Sequence, residues 1–314
     1  RTMVVFGYAD VNRRYVGEEW PDSGSTNGQQ AALIRRRHFQ VAHRHKISLI
    51  DANVTSESWP YDRPQPYWEP VLNGGLFSAT NGYDGPGRDT GNNVFSIGTY
   101  SSWDWKGQGQ TGMWAHTDGW ASWFASNSPG TTLFLYLIDE SDDYPTQETW
   151  AAWINANPGS GTNVMSMATI PLPRATNTPS LDVVVSGATI GISNEWEQAS
   201  RRYLTNAHER FFLYNAKRPF VGSFGTEDDG VALREQAWAQ FKKRIDRWFF
   251  WESTYYNNFQ GGMGQTRVFQ SAFTFGSIYD TNELGETGWN YSNGDGVLFY
   301  PGTDKVYPAD SYAC

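Results

Sequence analysis

One stretch constrains the fold more than any other: an unbroken apolar run over 133–138, LFLYLI, that leads directly into Asp139 and Glu140. Following Pro129 and Gly130, such a run is typical of a strand buried on both faces. Strands of this kind occur almost only in parallel sheets covered by helices. The two carboxylates then follow the C-terminal end of a strand, where barrel and open α/β folds carry their active sites. The alternative is a strand end with two solvated acids.

Seven other segments have the character of strands, and helical patterns separate most of them. We predict strands at 3–9, 47–53, 94–100, 132–140, 163–169, 181–187, 210–216 and 247–254. We predict helices at 29–45, 111–126, 146–155 with Thr146 as N-cap, 194–207 and 228–244, and a short one near 67–72. Eight strands that alternate with helices predict an α/β fold, specifically a (β/α)8 barrel of the TIM type. We treat 1–314 as a single barrel domain with a long loop at 55–93 and an irregular C-terminal extension at 255–314.

The composition narrows the range of partners. The chain has no apolar run near the roughly 18 residues that a membrane span needs, and its net charge of −9 argues against nucleic acid. Aromatic residues make up 16% of the chain, with 15 Trp and 17 Tyr, which favours carbohydrate because sugar rings stack on aromatic faces. The alternative is that these large side chains fill the core. The first residue is Arg1, so we expect a mature form or a fragment, with an extracellular or periplasmic location.

In a barrel, the polar residues at the C-terminal strand ends converge on one pocket. Here these residues are Asp10, Asp51, Asn53, Tyr100, Asp139, Glu140, Thr169, Ser186, Tyr214, Asn215, Trp251 and Glu252. No pair of His residues follows the strands, the lone Cys314 gives no cysteine site, and no Gly-rich phosphate loop is present, so we expect neither metal nor cofactor. Carboxylates, amides, hydroxyls and aromatic rings suit glycoside hydrolysis.

Two catalytic schemes compete for these carboxylates. In many retaining barrel enzymes an acid after the fourth strand works with a carboxylate nucleophile from the seventh. Here the seventh strand ends in Tyr214 and Asn215, and Glu252 on the eighth would have to stand in. In the other scheme the substrate's own 2-acetamido oxygen attacks, so the enzyme needs an acid and a neighbouring carboxylate. The missing acid on the seventh strand favours this second scheme, with Asp139 and Glu140 as the pair.

Three segments resemble the catalytic domain of family 123 glycoside hydrolases. They are YLIDE at 136–140, WFFWE at 248–252 and NGDGVLFYPG at 293–302, and the similarity covers roughly 133–302. The resemblance implies a (β/α)8 barrel and a retaining, substrate-assisted β-N-acetylgalactosaminidase-like activity. It further implies that Asp139 orients the acetamido group and that Glu140 is the general acid/base.

The chain departs from the pattern of that family in three places. Ser141 stands where the family usually has Pro, and the N-terminal β-sandwich common in such enzymes is absent. The sequence given stops at Cys314, where relatives continue into a helix that closes the barrel. We therefore expect a barrel that is incomplete at its C-terminus.

Six residues are candidates for binding the sugar: Trp251, Glu252, Tyr214, Asn215, Tyr255 and Asp51. Trp251 would stack on a sugar ring or pack in the core. Glu252 and Asp51 would bind hydroxyls, or instead form a salt bridge and cap a loop. Tyr214 and Asn215 would donate hydrogen bonds in the pocket, and Tyr255 or its neighbour Tyr256 would contact the acetamido group.

Three functions stay open at this point. The leading hypothesis is a glycosidase acting on a 2-acetamido sugar. The second is a barrel glycosidase that cleaves a neutral glycan, with Glu252 or a loop acid as nucleophile. The third is a barrel that binds carbohydrate without cleaving it, because fold alone does not decide function.

Overall fold

The structure is a computed structural model, and it describes most of the chain. The described residues are 2–51, 61–187, 194–205, 210–214, 230–255, 257–258, 264–265, 275–276, 290–292, 296–302 and 308–309. Three of the candidate residues, Asn53, Asn215 and Tyr256, lie outside these ranges.

Eight parallel strands form the body of the protein. They are β1 Thr2–Phe6, β2 Ile47–Asp51, β3 Val94–Ile97, β4 Thr132–Ile138, β5 Met165–Thr169, β6 Val183–Gly187, β7 Arg210–Tyr214 and β8 Arg247–Phe250. Their order in the sheet is β2-β1-β8-β7-β6-β5-β4-β3. The sheet is thus a nearly closed (β/α)8 barrel, with β2 and β3 at its two edges, and the predicted fold class is confirmed.

Helices alternate with the strands along the chain. They are α1 Tyr8–Val16, α2 Thr26–Arg44, α3 Glu69–Leu72, α4 Gly109–Asn127, α5 Tyr144–Asn155, α6 Asn194–Thr205 and α7 Gly230–Lys242. Short 3-10 helices lie at Pro66–Trp68, Gly75–Phe77, Ala79–Asn81, Thr99–Ser101, Trp105–Gln108, Ser160–Asn163 and Leu172–Asn177. The last of these replaces an α-helix between β5 and β6. None of the helices in the described ranges has the length and apolarity needed to cross a membrane.

After β8 the described pieces form short antiparallel pairs. Residues 257–258 pair with 264–265, 275–276 with 290–292, and 300–301 with 308–309. Val297, Leu298 and Phe299 are buried, and an isolated bridge joins Val297 to Thr254. This apolar segment after β8 is therefore part of the main core.

The core has two layers, and β4 contributes to both. Phe134 and Tyr136 face the interior of the barrel, where they pack with residues such as Phe249. Leu135 and Leu137 face outward into the layer between strands and helices. Because alternate residues of a strand point to opposite faces, a strand buried on both sides has to be apolar throughout. This explains the unbroken run before Asp139.

Polar side chains from the segment before β3 bridge the two edge strands. The buried Asn92 donates its side-chain amide to the carbonyl of Leu49 on β2, at 3.3 Å. The neighbouring Asn93 accepts from Ser48 at 3.5 Å and from the guanidinium of Arg247 at 3.3 Å. The gap between the edge strands β2 and β3, here called the seam, is thus spanned by side-chain hydrogen bonds.

The structure corrects several predicted element ends. β1 stops at Phe6, so Asp10 lies in the first turn of α1 and not at a strand end. α5 begins at Tyr144, and its N-cap is Asp143, which accepts from the backbone N–H of Thr146 at 3.2 Å. Tyr100 follows the end of β3 in a turn with φ of 57°. In each case a polar or turn-forming residue lies on the other side of the element boundary from the side that the sequence predicts.

The seam gives a first testable prediction. Replacing Asn92 with Ala should lower the free energy of unfolding by about 1–3 kcal/mol, because a buried carbonyl on β2 loses its donor. Asn127 makes a similar bond to the carbonyl of Trp123, at 2.8 Å, but in an exposed position. Asn127→Ala should change stability by no more than about 0.5 kcal/mol. Chemical denaturation of both variants measures this, and equal losses would contradict the role given to the seam.

Candidate active site

Asp139 lies one residue beyond the end of β4, and two side chains hold it. The hydroxyl of Tyr136 donates to Asp139 Oδ1 at 2.6 Å, and the hydroxyl of Thr169, at the end of β5, donates to the same oxygen at 2.7 Å. Hydrogen bonds to an ionised carboxylate are stronger than those between neutral groups. The orientation of the Asp139 carboxylate is therefore fixed from both its own strand and the next one.

Glu140 turns the chain out of the sheet. Its φ is 42°, in the left-handed region, and its backbone N–H donates to Thr169 Oγ1 at 2.6 Å. The carbonyl of Ser141, just after it, accepts from the side-chain amide of Gln147 at 2.9 Å. The single hydroxyl of Thr169 thus accepts from the backbone of Glu140 and donates to the side chain of Asp139. It couples the positions of the two acids.

The side chain of Glu140 is exposed at the mouth of the barrel and meets β7. The hydroxyl of Tyr214 donates to Glu140 Oε1 at 2.6 Å. Burial, followed by the neighbouring acids Glu140 and Asp139, raises the pKa of Tyr214 far above its usual value. Burial and Asp139 likewise raise the pKa of Tyr136. Both phenols therefore stay protonated at neutral pH and remain donors to the carboxylates.

A cavity of about 510 Å³ opens beside Glu140. Its described walls come from the segments that follow β4, β5, β6 and β7: Glu140, Ser141, Asp142, Thr169, Ile170, Pro171, Leu172, Pro173, Ser186, Gly187, Trp196 and Tyr214. Cavities of this size accommodate small ligands in proteins. Asp139 is not among the wall residues, so the two acids differ in their relation to the cavity.

Glu252 follows β8 on another side of the mouth and is 4% exposed. Its Oε1 has no hydrogen-bond partner among the described residues, and a Cβ added at Gly7 would lie 3.2 Å from that oxygen and 3.3 Å from Asp10 Oδ2. Burial raises the pKa of Glu252 well above its usual value, and the nearby Asp10 raises it further, although the backbone N–H of Thr254 opposes the shift. Burial thus favours the neutral form of the Glu252 carboxyl.

The remaining candidates lie in two further clusters. Trp251 and Tyr255 pack with ring centroids 4.9 Å apart, beside Gly296. Asp51 ends β2, is 5% exposed, and accepts from the hydroxyl of Tyr67 at 2.8 Å. The structure thus brings Asp139, Glu140 and Tyr214 into one hydrogen-bonded group and places Trp251, Tyr255 and Asp51 outside it.

Three hydroxyl groups that donate to candidate carboxylates, those of Tyr136, Thr169 and Tyr67, are not predicted as partners of those carboxylates by local sequence patterns. The apolar run predicts Tyr136 only as part of a buried strand, and Thr169 is only one predicted strand end among many. For Tyr67 the pattern predicts only a place in a short helix. Tyr136 had a usable signal, because it lies two residues inside the strand end on the interior face. Pairing Thr169 with Asp139 needs the register of β4 with β5, which no local pattern supplies.

The described residues contain no group of three or more His, Cys, Asp or Glu that could hold a metal ion. What the site offers is two fixed carboxylates of different exposure, two protonated phenols and a cavity. Such a set can transfer protons and accept hydrogen bonds from a polar ligand.

Thr169 gives a prediction about the geometry of the site. Thr169→Val keeps the shape of the side chain but removes the hydroxyl that serves both acids, so it should lower the free energy of unfolding by at least about 2 kcal/mol. Thr169→Ser keeps the hydroxyl and loses only a methyl group, which should cost about 1 kcal/mol. Denaturation of the two variants tests this, and a Val variant as stable as the Ser variant would contradict the coupling role.

Glu252 gives a prediction about pH. A carboxyl whose pKa is raised by folding stays protonated in the folded chain while the unfolded chain ionises, so stability falls as pH rises above the unfolded value. Glu252→Gln cannot ionise and escapes this loss. The variant should gain stability relative to the wild type as pH rises from about 4 to 8. Denaturation across this range measures the difference, and a difference that is constant or shrinks would show that Glu252 is not buried in protonated form.

Comparison with known proteins assigns the chain to no family. No protein-family model matches the chain, and no curated protein matches it significantly. The nearly closed barrel is a fold compatible with an enzyme.

Proposed function

We propose that the protein is a glycosidase that cleaves the glycoside of a 2-acetamido sugar by a retaining, substrate-assisted mechanism. The activity is the β-N-acetylgalactosaminidase-like one that the resemblance to family 123 glycoside hydrolases implies. The observation that carries the proposal is the Asp139–Glu140 pair at the end of β4, with both acids tied to the hydroxyl of Thr169. Its partner is a carbohydrate, and its proposed location is extracellular or periplasmic.

Asp139 and Glu140 have separate tasks in this mechanism. Both donors to Asp139 reach Oδ1, so Oδ2 is the oxygen left to accept the acetamido N–H. The acetamido oxygen attacks the anomeric carbon while Glu140 gives its proton to the departing glycosidic oxygen, which produces a free alcohol and an oxazolinium ion whose N–H stays hydrogen-bonded to Asp139. Glu140 then takes a proton from water, the resulting hydroxide attacks the anomeric carbon, and the ring opens to restore the acetamido group, so the sugar leaves with its anomeric configuration retained.

The positions of the other carboxyl groups support this scheme over one with an enzyme nucleophile. The described end of β7 is Tyr214, which carries no acid. Glu252 is buried, and burial and the nearby Asp10 raise its pKa, which favours its protonated form. A protonated carboxyl is a poor nucleophile. The scheme for a neutral glycan with Glu252 as nucleophile is therefore disfavoured.

The other candidates fit the proposal to different degrees. Tyr214 donates to Glu140 and stands next to the reacting atoms. Trp251 and Tyr255 are partly exposed and are proposed to form the aromatic surface for the sugar ring. Asp51 already accepts a hydrogen bond from the hydroxyl of Tyr67. The two side chains are therefore proposed to bind the sugar together.

The decisive variants change one acid at a time. Glu140→Gln should lower kcat for an aryl N-acetyl-β-galactosaminide by at least about 100-fold, because the proton donor is lost. Asp139→Asn should slow formation of the oxazolinium ion, because the negative charge is lost and, with the amide oxygen held by Tyr136 and Thr169, an NH2 group faces the acetamido N–H. Glu235→Gln, on the exposed surface of α7, is the matched control and should keep wild-type rates.

Steady-state hydrolysis and single-turnover kinetics provide the readout. Full activity in Glu140→Gln would refute the proposal. Binding of the glycoside by the wild type with no product at all would instead indicate a barrel that binds carbohydrate without cleaving it.

A further inference from the structure

The hydrogen bond between Tyr214 and Glu140 divides the mouth of the barrel. It runs from the end of β7 to the residue after β4, so it passes across the ends of β5 and β6. On the β5–β6 side lies the 510 Å³ cavity. Trp251 and Glu252 follow β8, on the other side of this bond. A substrate that reaches Glu140 therefore has two differently built regions to occupy.

The wall of the cavity is apolar over the segment that follows β5. Ile170, Pro171, Leu172 and Pro173 supply this part of the wall, and Trp196 backs it from α6. The turn that carries these residues is stiffened by its two prolines. An apolar wall of this kind favours a ligand with an apolar surface.

The polar groups in this wall already have partners. Thr169 Oγ1 bonds Asp139 and the backbone of Glu140. Ser186 Oγ accepts from the backbone N–H of Leu172 at 3.0 Å, and Trp196 Nε1 donates to the carbonyl of Gly187 at 3.1 Å. A ligand in the cavity would thus meet few groups that need a hydrogen bond, apart from Glu140, Ser141, Asp142 and Tyr214 at the rim.

The two acids differ in their access to the cavity, and this assigns it to one part of a glycoside. Glu140 lines the cavity and Asp139 does not. In the proposed mechanism, which this inference takes as its basis, the sugar that reacts must reach Asp139, whereas the group beyond the glycosidic oxygen needs only Glu140. We propose that the cavity is the binding site for the leaving group, and that it selects a ring-sized leaving group with an apolar face.

Gly187, at the end of β6, offers a way to fill the cavity without disturbing the barrel. It lines the cavity, and a Cβ added there meets no atom of the described residues within 4 Å. Gly130, in the exposed turn before β4, likewise has no atom of the described part of the chain within 4 Å of an added Cβ. It lies near the start of β4, at the opposite end of the barrel from the acids. Gly187→Trp and Gly130→Trp are therefore matched variants.

The test compares cyclohexyl and methyl N-acetyl-β-galactosaminides, which share an alkyl leaving group and differ in its size. Gly187→Trp should lower the ratio of kcat/KM for cyclohexyl over methyl by roughly tenfold or more, because the ring no longer fits its apolar site. Gly187→Leu should lower the ratio by less. Gly130→Trp should keep the wild-type ratio, and thermal unfolding checks that each variant is folded.

Binding separates this inference from the proposed function. Isothermal titration of the same two glycosides to Glu140→Gln, with and without Gly187→Trp, needs no turnover. If the wild type hydrolyses neither glycoside but the preference for cyclohexyl binding disappears in Gly187→Trp, the proposed function fails and the cavity still stands as the binding site for the group beyond the glycosidic oxygen. An unchanged preference, an equal loss for both glycosides, or no binding of the cyclohexyl compound would overturn the inference.

Discussion

Burial of β4 on both faces is the constraint on which the site depends. With Tyr136 inside the barrel and Leu137 outside it, no position within the strand can hold an unpaired charge without a cost of several kcal/mol. The two carboxylates therefore come after Ile138, where the strand has ended and the mouth begins. Because all eight strands are parallel, the polar groups that follow them converge on this same edge.

The hydroxyl of Thr169 turns two neighbouring acids into one oriented unit. Consecutive residues of an extended strand point to opposite sides. At Glu140 the backbone instead adopts a left-handed conformation, and the side chain extends toward Tyr214. The Asp139 carboxylate instead stays beside the barrel interior, where it accepts a hydrogen bond from the hydroxyl of Tyr136. One acid is thus fixed and partly buried while the other is exposed beside a cavity, and this difference underlies the separate roles proposed for them.

The sequence predicted the parts of the structure that local patterns decide. Apolar runs located all eight strands, and their alternation with helices gave the barrel. Asp139 and Glu140 were found because they follow the clearest run. The exact ends of the elements were harder, as Asp10 shows: an acid suits a strand end and the first turn of a helix equally well. Similarly, Asp143 and Thr146 are both good caps, and only the hydrogen bond decides between them.

Features that depend on distant residues were beyond the sequence. The raised pKa of Glu252 follows from burial near Gly7 and Asp10, which belong to the opposite end of the chain. On α7, Trp238 and Phe241 are 69% and 78% exposed although the helix carries apolar residues that a pattern would assign to the core. Burial of this kind is set by the neighbours that packing supplies, and periodicity alone does not identify them.

The nucleophilic role of the substrate's acetamido group is the central claim, and a series of substrates tests it most directly. Aryl β-galactosaminides with N-acetyl, N-fluoroacetyl, N-difluoroacetyl and N-trifluoroacetyl groups carry carbonyl oxygens of decreasing nucleophilicity. The account predicts that kcat falls steeply along this series, because the carbonyl oxygen forms the bond to the anomeric carbon. Rates that stay the same along the series would show that another nucleophile acts and would contradict the account.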